Sequence, residues 1–190
     1  GIDNSQYSEM IARRTFIATE TNIQSDAQSF ANHIGLAKAI KTYDLNRIIS
    51  FHSRVNSAAD FAKELPNVID WMPEASRPSG QLIANYISGS MPTSERNRKL
   101  KSLGDIVAGQ RYVLANARCL SEGIDIPALD GVAFIDPKRS EIDIIQAVGR
   151  AIRLSSAKSL GTILIPVFIE DHQNPDEALN SSQFKTVWTV

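Results

Sequence analysis

The stretch Arg47-Ile48-Ile49-Ser50-Phe51-His52-Ser53-Arg54 decides the fold class. It begins as a short, largely apolar run and then turns polar, which is typical of a buried strand that ends in a loop. Similar runs recur over 82–87, 112–115, 132–135 and 162–167, with helical spacing between them. Apolar strands that alternate with helices indicate an α/β domain, in which a mostly parallel sheet carries helices on both faces.

Apolar spacing also predicts the helices between these strands. One is expected over 27–40 and another over 58–65, where Pro66 should end it because proline lacks the N–H that a helix interior requires. Two more are expected over 93–103 and 142–152. In such a sheet ligands gather at the carboxyl ends of the strands, so the segments that follow strands are the candidates for a site.

Composition limits the class of protein. The 190 residues favour one domain, and the net charge of −1 gives no overall sign of a polyanionic partner. Cys119 is the single cysteine, which excludes an intrachain disulfide, argues against a cysteine zinc site and suits a cytoplasmic protein. No apolar run approaches the roughly 20 residues of a membrane span, so no membrane contact is expected.

The chain begins with Gly1 rather than Met, which we interpret as a sign that it is part of a larger protein. Residues 1–25 are polar and mixed, and we predict that they are a linker arriving from something upstream. The domain itself is predicted over 26–170. Residues 171–190 are predicted to be an extension that could begin a following domain.

The segment Gln146-Ala147-Val148-Gly149-Arg150-Ala151-Ile152-Arg153 carries the strongest chemical signal. Gln146, Arg150 and Arg153 are spaced four and three residues apart, so they share one helix face. Two guanidiniums beside an amide can clamp phosphate oxygens, because arginine presents a planar fork of donors. The alternative is a surface helix with two solvated arginines in which Gly149 serves packing.

Two other segments follow strands. Gly123 permits a turn with positive φ, and Asp125 could accept a ribose hydroxyl, cap a helix or stabilise a turn. Ser53 and Arg54 can hold a phosphodiester backbone. His52 could act as a general base, but the sequence shows no evident partner to orient it. The alternative is that His52 has a structural role.

The segment from Glu95 to Arg111 carries a local net charge of +3, which fits either a phosphate-backbone partner or a solvated face. The chain has no Gly-x-x-x-x-Gly-Lys-Ser/Thr loop and no Asp-Glu pair at a strand end, so it cannot by itself cradle a triphosphate with magnesium, and no metal site is predicted. The absence of Gly-x-Gly-x-x-Gly after the first strand argues against a Rossmann-type enzyme for small molecules.

Taken in chain order, these stretches resemble the second RecA-like lobe, the helicase C-terminal domain, of superfamily 2 helicases and translocases. Ile48–Arg54 is similar to motif IV of that family and Leu114–Asp125 to motif V. Gln146–Arg153 is similar to motif VI, Gln-x-x-Gly-Arg-x-x-Arg. The sequence of Asn116–Pro127 is similar to the corresponding segment of bacterial helicases such as the motor of type ISP restriction-modification enzymes.

The resemblance implies a three-layer αβα RecA-like fold and one lobe of an ATP-dependent helicase or DNA translocase. Arg153 would be the arginine finger that reaches the γ-phosphate, and Arg150 would also face the phosphates. Gln146, Gly123 and Asp125 would lie on the nucleotide side. ATP with Mg²⁺ would be held mainly by a first lobe that this chain does not contain, so the fragment alone is expected to be inactive.

The resemblance also implies partners. Ser53, Arg54, Asn116 and Arg118 would contact nucleic acid, with DNA expected rather than RNA, and the upstream RecA-like lobe would be the protein partner. Two departures from the family pattern matter. Ala147 stands where many relatives carry arginine, and Asn116 stands near the place where the family offers a threonine to a phosphate. The alternative function is a non-catalytic RecA-like module that docks nucleic acid or protein.

Overall fold

This computed structural model describes residues 16–18, 24–117, 119, 129–136, 148–149, 161–165, 174, 177 and 185, with the backbone alone before residue 29. In chain order, the elements are β1 (Phe16–Ala18), β2 (Gln24–Asp26), α1 (Ala27–Thr42), β3 (Arg47–His52), α2 (Val55–Trp71), β4 (Gln81–Ser88), α3 (Thr93–Gly104), β5 (Gln110–Ala117), β6 (Gly131–Phe134) and β7 (Thr162–Leu164).

The strands β3 to β7 form one sheet in the order β4-β5-β3-β6-β7, and every neighbouring pair in it is parallel. β3 lies at the centre, which explains why its run of residues is apolar on both faces. α1 and α2 pack on one face, and α3 packs on the other. The predicted α/β class and the three-layer αβα arrangement are therefore confirmed.

Successive side chains of β3 supply the two cores, because they point to opposite faces of the sheet. Ile48 lies in the core that also contains Phe30 of α1 and Phe61 of α2. Ile49 lies in the core beneath Leu100 of α3. Each such side chain contributes about 1.5–3 kcal/mol when buried, so the central strand fixes both helical layers.

The predicted end of α2 at Pro66 is wrong, since the helix runs through this proline to Trp71. Proline removes the hydrogen bond to the carbonyl of Ala62 and costs roughly 3 kcal/mol in a helix interior. Leu65 and Val68 are both fully buried, one on each side of Pro66 in the sequence. The apolar burial on both sides outweighs the local cost of the proline.

The segment before α1 contains a short ribbon, in which Phe16–Ala18 pairs antiparallel with Gln24–Asp26. All of this pairing except Asp26 lies inside residues 1–25, for which a linker is predicted. The domain boundaries themselves stay a prediction. Within the residues that the structure describes, no helix is long and apolar enough to cross a bilayer.

Candidate functional site

The carboxyl ends of β3, β5 and β6 lie side by side at one edge of the sheet. The parallel register places Phe51 beside Asn116 on one side and beside Phe134 on the other. The segments that follow these strands therefore meet at the edge where parallel sheets bind ligands. We call this surface the carboxyl edge, and its described residues include Ser53, Arg54, Asn116, Cys119 and Asp136.

Ser53 is held by a carboxylate at the carboxyl edge. Its backbone N–H and its Oγ–H both donate to Oδ2 of Asp136, at 2.7 and 2.8 Å. The backbone N–H of Asp136 in turn donates to the carbonyl of Phe51 at 3.2 Å, which ties the end of β6 to β3. The predicted phosphate contact Ser53 is thus exposed, but both of its donors already bind an anion.

Arg54 follows Ser53 at the N-cap of α2, where the backbone is extended with φ −128° and ψ 147°. Its carbonyl accepts the N–H of Ala58 at 3.1 Å, while its side chain makes no capping hydrogen bond and is exposed. The guanidinium therefore projects from the start of a helix at the carboxyl edge. Among the described residues, Arg54 is the one predicted nucleic-acid cation, and it is exposed at the carboxyl edge.

Asn116 lies beneath the surface rather than on it, with 2% of its area exposed. Its Oδ1 accepts the backbone N–H of Cys119 at 3.2 Å, which holds Cys119 close to the end of β5. Burial raises the pKa of the Cys119 thiol, an effect that the nearby guanidinium of Arg96 opposes by its charge and by a hydrogen bond. Arg96 also donates to the carbonyl of Gly89, after β4, at 3.3 Å. Arg96 thus joins the segments that follow β4 and β5.

His52 is a structural residue of the sheet. It is 5% exposed, its Nε2 lies 3.0 Å from Oγ of Ser50, and its ring lies 4.9 Å from the ring of Phe61. Burial lowers the pKa of His52 to about 4, while Asp136 opposes this shift and His33 adds to it. His52 is therefore neutral at physiological pH, in agreement with the structural alternative.

The buried imidazole makes stability depend on pH. The pKa of His52 falls from 6.5 to about 4 on folding, so the unfolded chain takes up a proton in this range that the folded chain does not. The stabilisation is present in full above pH 6.5 and is lost as pH falls toward 4, by roughly 3 kcal/mol in total. Urea unfolding of this chain at pH 7 and pH 4.5 should show the loss, and His52→Gln should have a shallower pH dependence. Equal dependence in the two proteins would contradict the assignment.

The other predicted site residues lie outside the described residues: Arg118, Gly123, Asp125, Gln146, Arg150 and Arg153. Of the segment 146–153, Val148 and Gly149 are described, and both are helical. Val148 packs against the core beneath α3. Gly149 is exposed, and a Cβ built on it would meet no atom of the described residues within 4 Å.

The basic segment 95–111 does not form a continuous cationic surface. Lys99 is buried, where its Nζ donates to the carbonyl of Tyr86 at 3.0 Å and pairs with Glu95 at 3.2 Å. Lys101 pairs with Asp105. Arg111 is buried at the amino-terminal end of β5, which is the opposite edge of the sheet from Ser53 and Arg54. The local net charge of +3 therefore overstates the positive charge that this segment exposes to a nucleic acid.

A cavity of about 510 Å³ lies beside α3, over the first halves of β4 and β5. Arg98 and Ile106 line it together with Asn85 and Tyr112, whose hydroxyl accepts the Asn85 amide at 3.0 Å. Burial raises the pKa of Tyr112, against the opposing effects of the Asn85 hydrogen bond and the Arg98 charge. This cavity lies away from the carboxyl edge and is not part of the candidate site.

Two residues of the carboxyl edge escaped the sequence analysis. Asp136 is a lone carboxylate before a proline, and its partner Ser53 lies 83 residues away in the sequence. The available signal was its place directly after a buried strand. Arg96 was counted only as one charge of the basic segment, although its place in the first turn of a helix that follows β4 puts it near the ends of the strands.

An all-parallel sheet with helices on both faces, and with polar segments gathered after its strands, defines an open α/β domain, the class to which RecA-like lobes belong. The helicase conserved C-terminal domain matches residues 32–155, which is well over half of the chain. The chain therefore belongs to this family.

Individual relatives agree with this assignment. UvrABC system protein B of Clostridium botulinum (strain Langeland / NCTC 10281 / Type F) is 37% identical over 78 residues, which are 38% of this chain and 11% of that protein. The ATP-dependent type ISP restriction-modification enzyme LlaBIII, solved bound to DNA, is 28% identical with a TM-score of 0.71 over 87% of this chain and 11% of its own. The predicted likeness to the type ISP motor is therefore confirmed as a structural similarity.

Domain 2 of the DEAD-box helicase Mss116p, solved bound to an RNA duplex, is 20% identical with a TM-score of 0.51 over 72% of this chain and 50% of its own. This likeness supports the fold alone. The matched part of the chain spans 11% of UvrABC system protein B and 17% of another curated relative, Putative helicase 22 of Sulfolobus islandicus filamentous virus (isolate Iceland/Hveragerdi).

Proposed function

We propose that this chain is the C-terminal motor lobe of an ATP-dependent helicase or DNA translocase, and that it supplies an arginine finger and part of the nucleic-acid track. The observation that carries the proposal is the meeting of the segments after β3, β5 and β6 at one edge, within a domain of the helicase family. In open α/β sheets this edge binds ligands. The upstream RecA-like lobe of the same protein would face it.

The nucleic-acid track would follow the ends of β3 and β5. The exposed guanidinium of Arg54 is suited to a phosphate oxygen, and Ser53 and Arg118 flank the same edge in our proposal. Asn116 is buried and holds the N–H of Cys119, so it would act by fixing the path of the Arg118 segment. Arg96 adds a second cation near this path. Contacts to phosphates would make the grip independent of sequence and sensitive to salt.

The nucleotide side would use the helix that contains Val148. The side chain of Val148 packs inward against the core. In a helix that repeats every 3.6 residues, positions 146, 150 and 153 would fall on the side opposite position 148. Gln146, Arg150 and Arg153 would then face out of the lobe, and the exposed Gly149 would leave room for a partner surface close by. Gly123 and Asp125 would lie near the ribose.

ATP with Mg²⁺, held mainly by the first lobe, would supply the free energy of phosphoanhydride hydrolysis. The contribution of this chain to ATP hydrolysis would be electrostatic. Arg153 would reach the γ-phosphate from across the cleft, and Arg150 would bind neighbouring phosphate oxygens, since each guanidinium offers a fork of charged donors. Opening and closing of the two lobes would then shift their grip along the strand.

The experiment that tests this function is ATP hydrolysis by the full-length protein with and without nucleic acid. We expect duplex DNA to stimulate turnover more than RNA, because the type ISP enzyme to which the chain is similar was solved on DNA. The 190-residue chain alone should hydrolyse no ATP. Hydrolysis by the chain alone would contradict the proposal that the ATP site is shared with another lobe. If the full-length protein binds nucleic acid but has no ATPase activity, the alternative of a non-catalytic docking module is favoured.

A further inference from the structure

The contact between Ser53 and Asp136 has a chemical meaning of its own. A carboxylate oxygen accepts the backbone N–H and the hydroxyl of Ser53 at 2.7 and 2.8 Å, directly before the first turn of α2. An N–H and an O–H offered together to one anionic oxygen form a pair of donors that would suit a phosphate oxygen equally well. The lobe thus satisfies with its own carboxylate the donors that the proposed track offers to nucleic acid.

Asp136 is firmly placed for this role. Its backbone N–H and that of Ile135 both lie 3.2 Å from the carbonyl of Phe51, so the end of β6 is fastened to β3. Asp136 is partly buried. A phosphate that approached Ser53 would therefore meet a fixed negative charge on the same donors.

We infer that Asp136 is a built-in competitor of the nucleic-acid backbone for Ser53. The inference rests on the proposed track. A phosphate binds Ser53 only after the carboxylate has released it, and Arg54 holds the strand in the meantime. The competition weakens the grip of this lobe, which suits a motor that must release the strand in each cycle. Ser53 is then a switchable contact, and Asp136 sets the affinity without touching the nucleic acid.

The test is the affinity of the full-length protein for a fluorescently labelled DNA duplex, measured by anisotropy at several salt concentrations without nucleotide. Asp136→Asn keeps an acceptor oxygen for Ser53 but removes the charge, so the loop stays held while a phosphate displaces the amide more easily. We expect roughly threefold to tenfold tighter binding, the range that corresponds to the net free energy of one hydrogen bond. In a Ser53→Ala background the gain should shrink, because only the backbone N–H remains to be released.

Asp130→Asn is the matched control. Asp130 also accepts two backbone N–H groups, those of Asn46 and Arg47, at 2.8 and 3.0 Å, but it lies at the opposite edge of the sheet. Removing its charge should leave the DNA affinity within twofold of the unmodified protein, about the uncertainty of such a measurement. An equal gain in Asp130→Asn would overturn the inference, since net charge alone would then explain the result.

Unchanged or weaker binding by Asp136→Asn would also overturn it, because Asp136 would then only hold the loop. Arg54→Ala separates this failure from failure of the proposed track. If Arg54→Ala weakens binding while Asp136→Asn does not strengthen it, the track stands and the competitor role falls. If the full-length protein binds no DNA, the proposed function falls with it.

Discussion

Replacing Arg153 by alanine is expected to slow ATP hydrolysis by the full-length protein about 10³–10⁵-fold, the range found for arginine fingers. The transition state of phosphoryl transfer spreads negative charge over the phosphate oxygens, and a guanidinium that reaches across the cleft stabilises that charge. ATP itself would be held mainly by the upstream lobe, so its Kd should change far less than kcat. Steady-state kinetics at saturating nucleic acid and binding of a fluorescent ATP analogue measure the two quantities.

Two matched variants make the result specific. Arg153→Lys keeps the charge but loses the planar fork, so its turnover should lie between that of the alanine variant and that of the unmodified protein. Arg98→Ala makes the same truncation at an exposed arginine beside the cavity away from the carboxyl edge, and it should leave turnover at saturating nucleic acid unchanged. Circular dichroism checks that each variant is folded. Full turnover in Arg153→Ala would remove the arginine-finger role.

The central part of the fold could be predicted from the sequence because local patterns and tertiary burial agree there. β3 is buried from Ile48 to His52 and pairs with a parallel strand on each side, so its apolar run agrees with its central place in the sheet. Pro66 is the counterexample. A local rule predicts the end of a helix there, but Leu65 and Val68 are buried on either side of it, and this burial cannot be known until the sheet exists.

The place of the segments that follow β3 and β5 was predictable from the sequence, but their contacts were not. The order of polar segments after strands correctly brings Ser53 and Asn116 to one edge. Burial of Asn116 and the bond between Ser53 and Asp136 depend on the register of β3 against β5 and β6, which no single segment encodes. Charge counting fails for a related reason. A sum over 95–111 does not distinguish Lys99, buried against Tyr86, from an exposed arginine.

Arg111 gives the largest stability effect that we expect, and it tests whether the basic segment contributes to binding or to folding. Its guanidinium donates to the carbonyls of Leu45 and Ser79, at 2.7 and 2.5 Å, and pairs with Asp44 at 2.7 Å. Arg111→Met would leave the two carbonyls without these donors, at a cost of about 3 kcal/mol or more. Loss of the pair with Asp44, which is largely exposed, would add little. Urea unfolding of this chain measures the loss, which is roughly a hundredfold in the folding equilibrium.

Arg98→Met is the control for this effect, because it removes one positive charge from the same segment at an exposed position. Its unfolding free energy should change by less than about 0.5 kcal/mol. At a temperature where Arg111→Met is fully folded, that variant should bind DNA as tightly as the unmodified protein, since Arg111 lies at the edge of the sheet opposite Ser53. Weaker binding by the folded variant would place Arg111 on the nucleic-acid path. Arg111 would then be a binding residue and not only a structural one. If the affinity is unchanged, Arg111 serves the fold rather than binding, as its contacts with Leu45 and Ser79 lead us to expect.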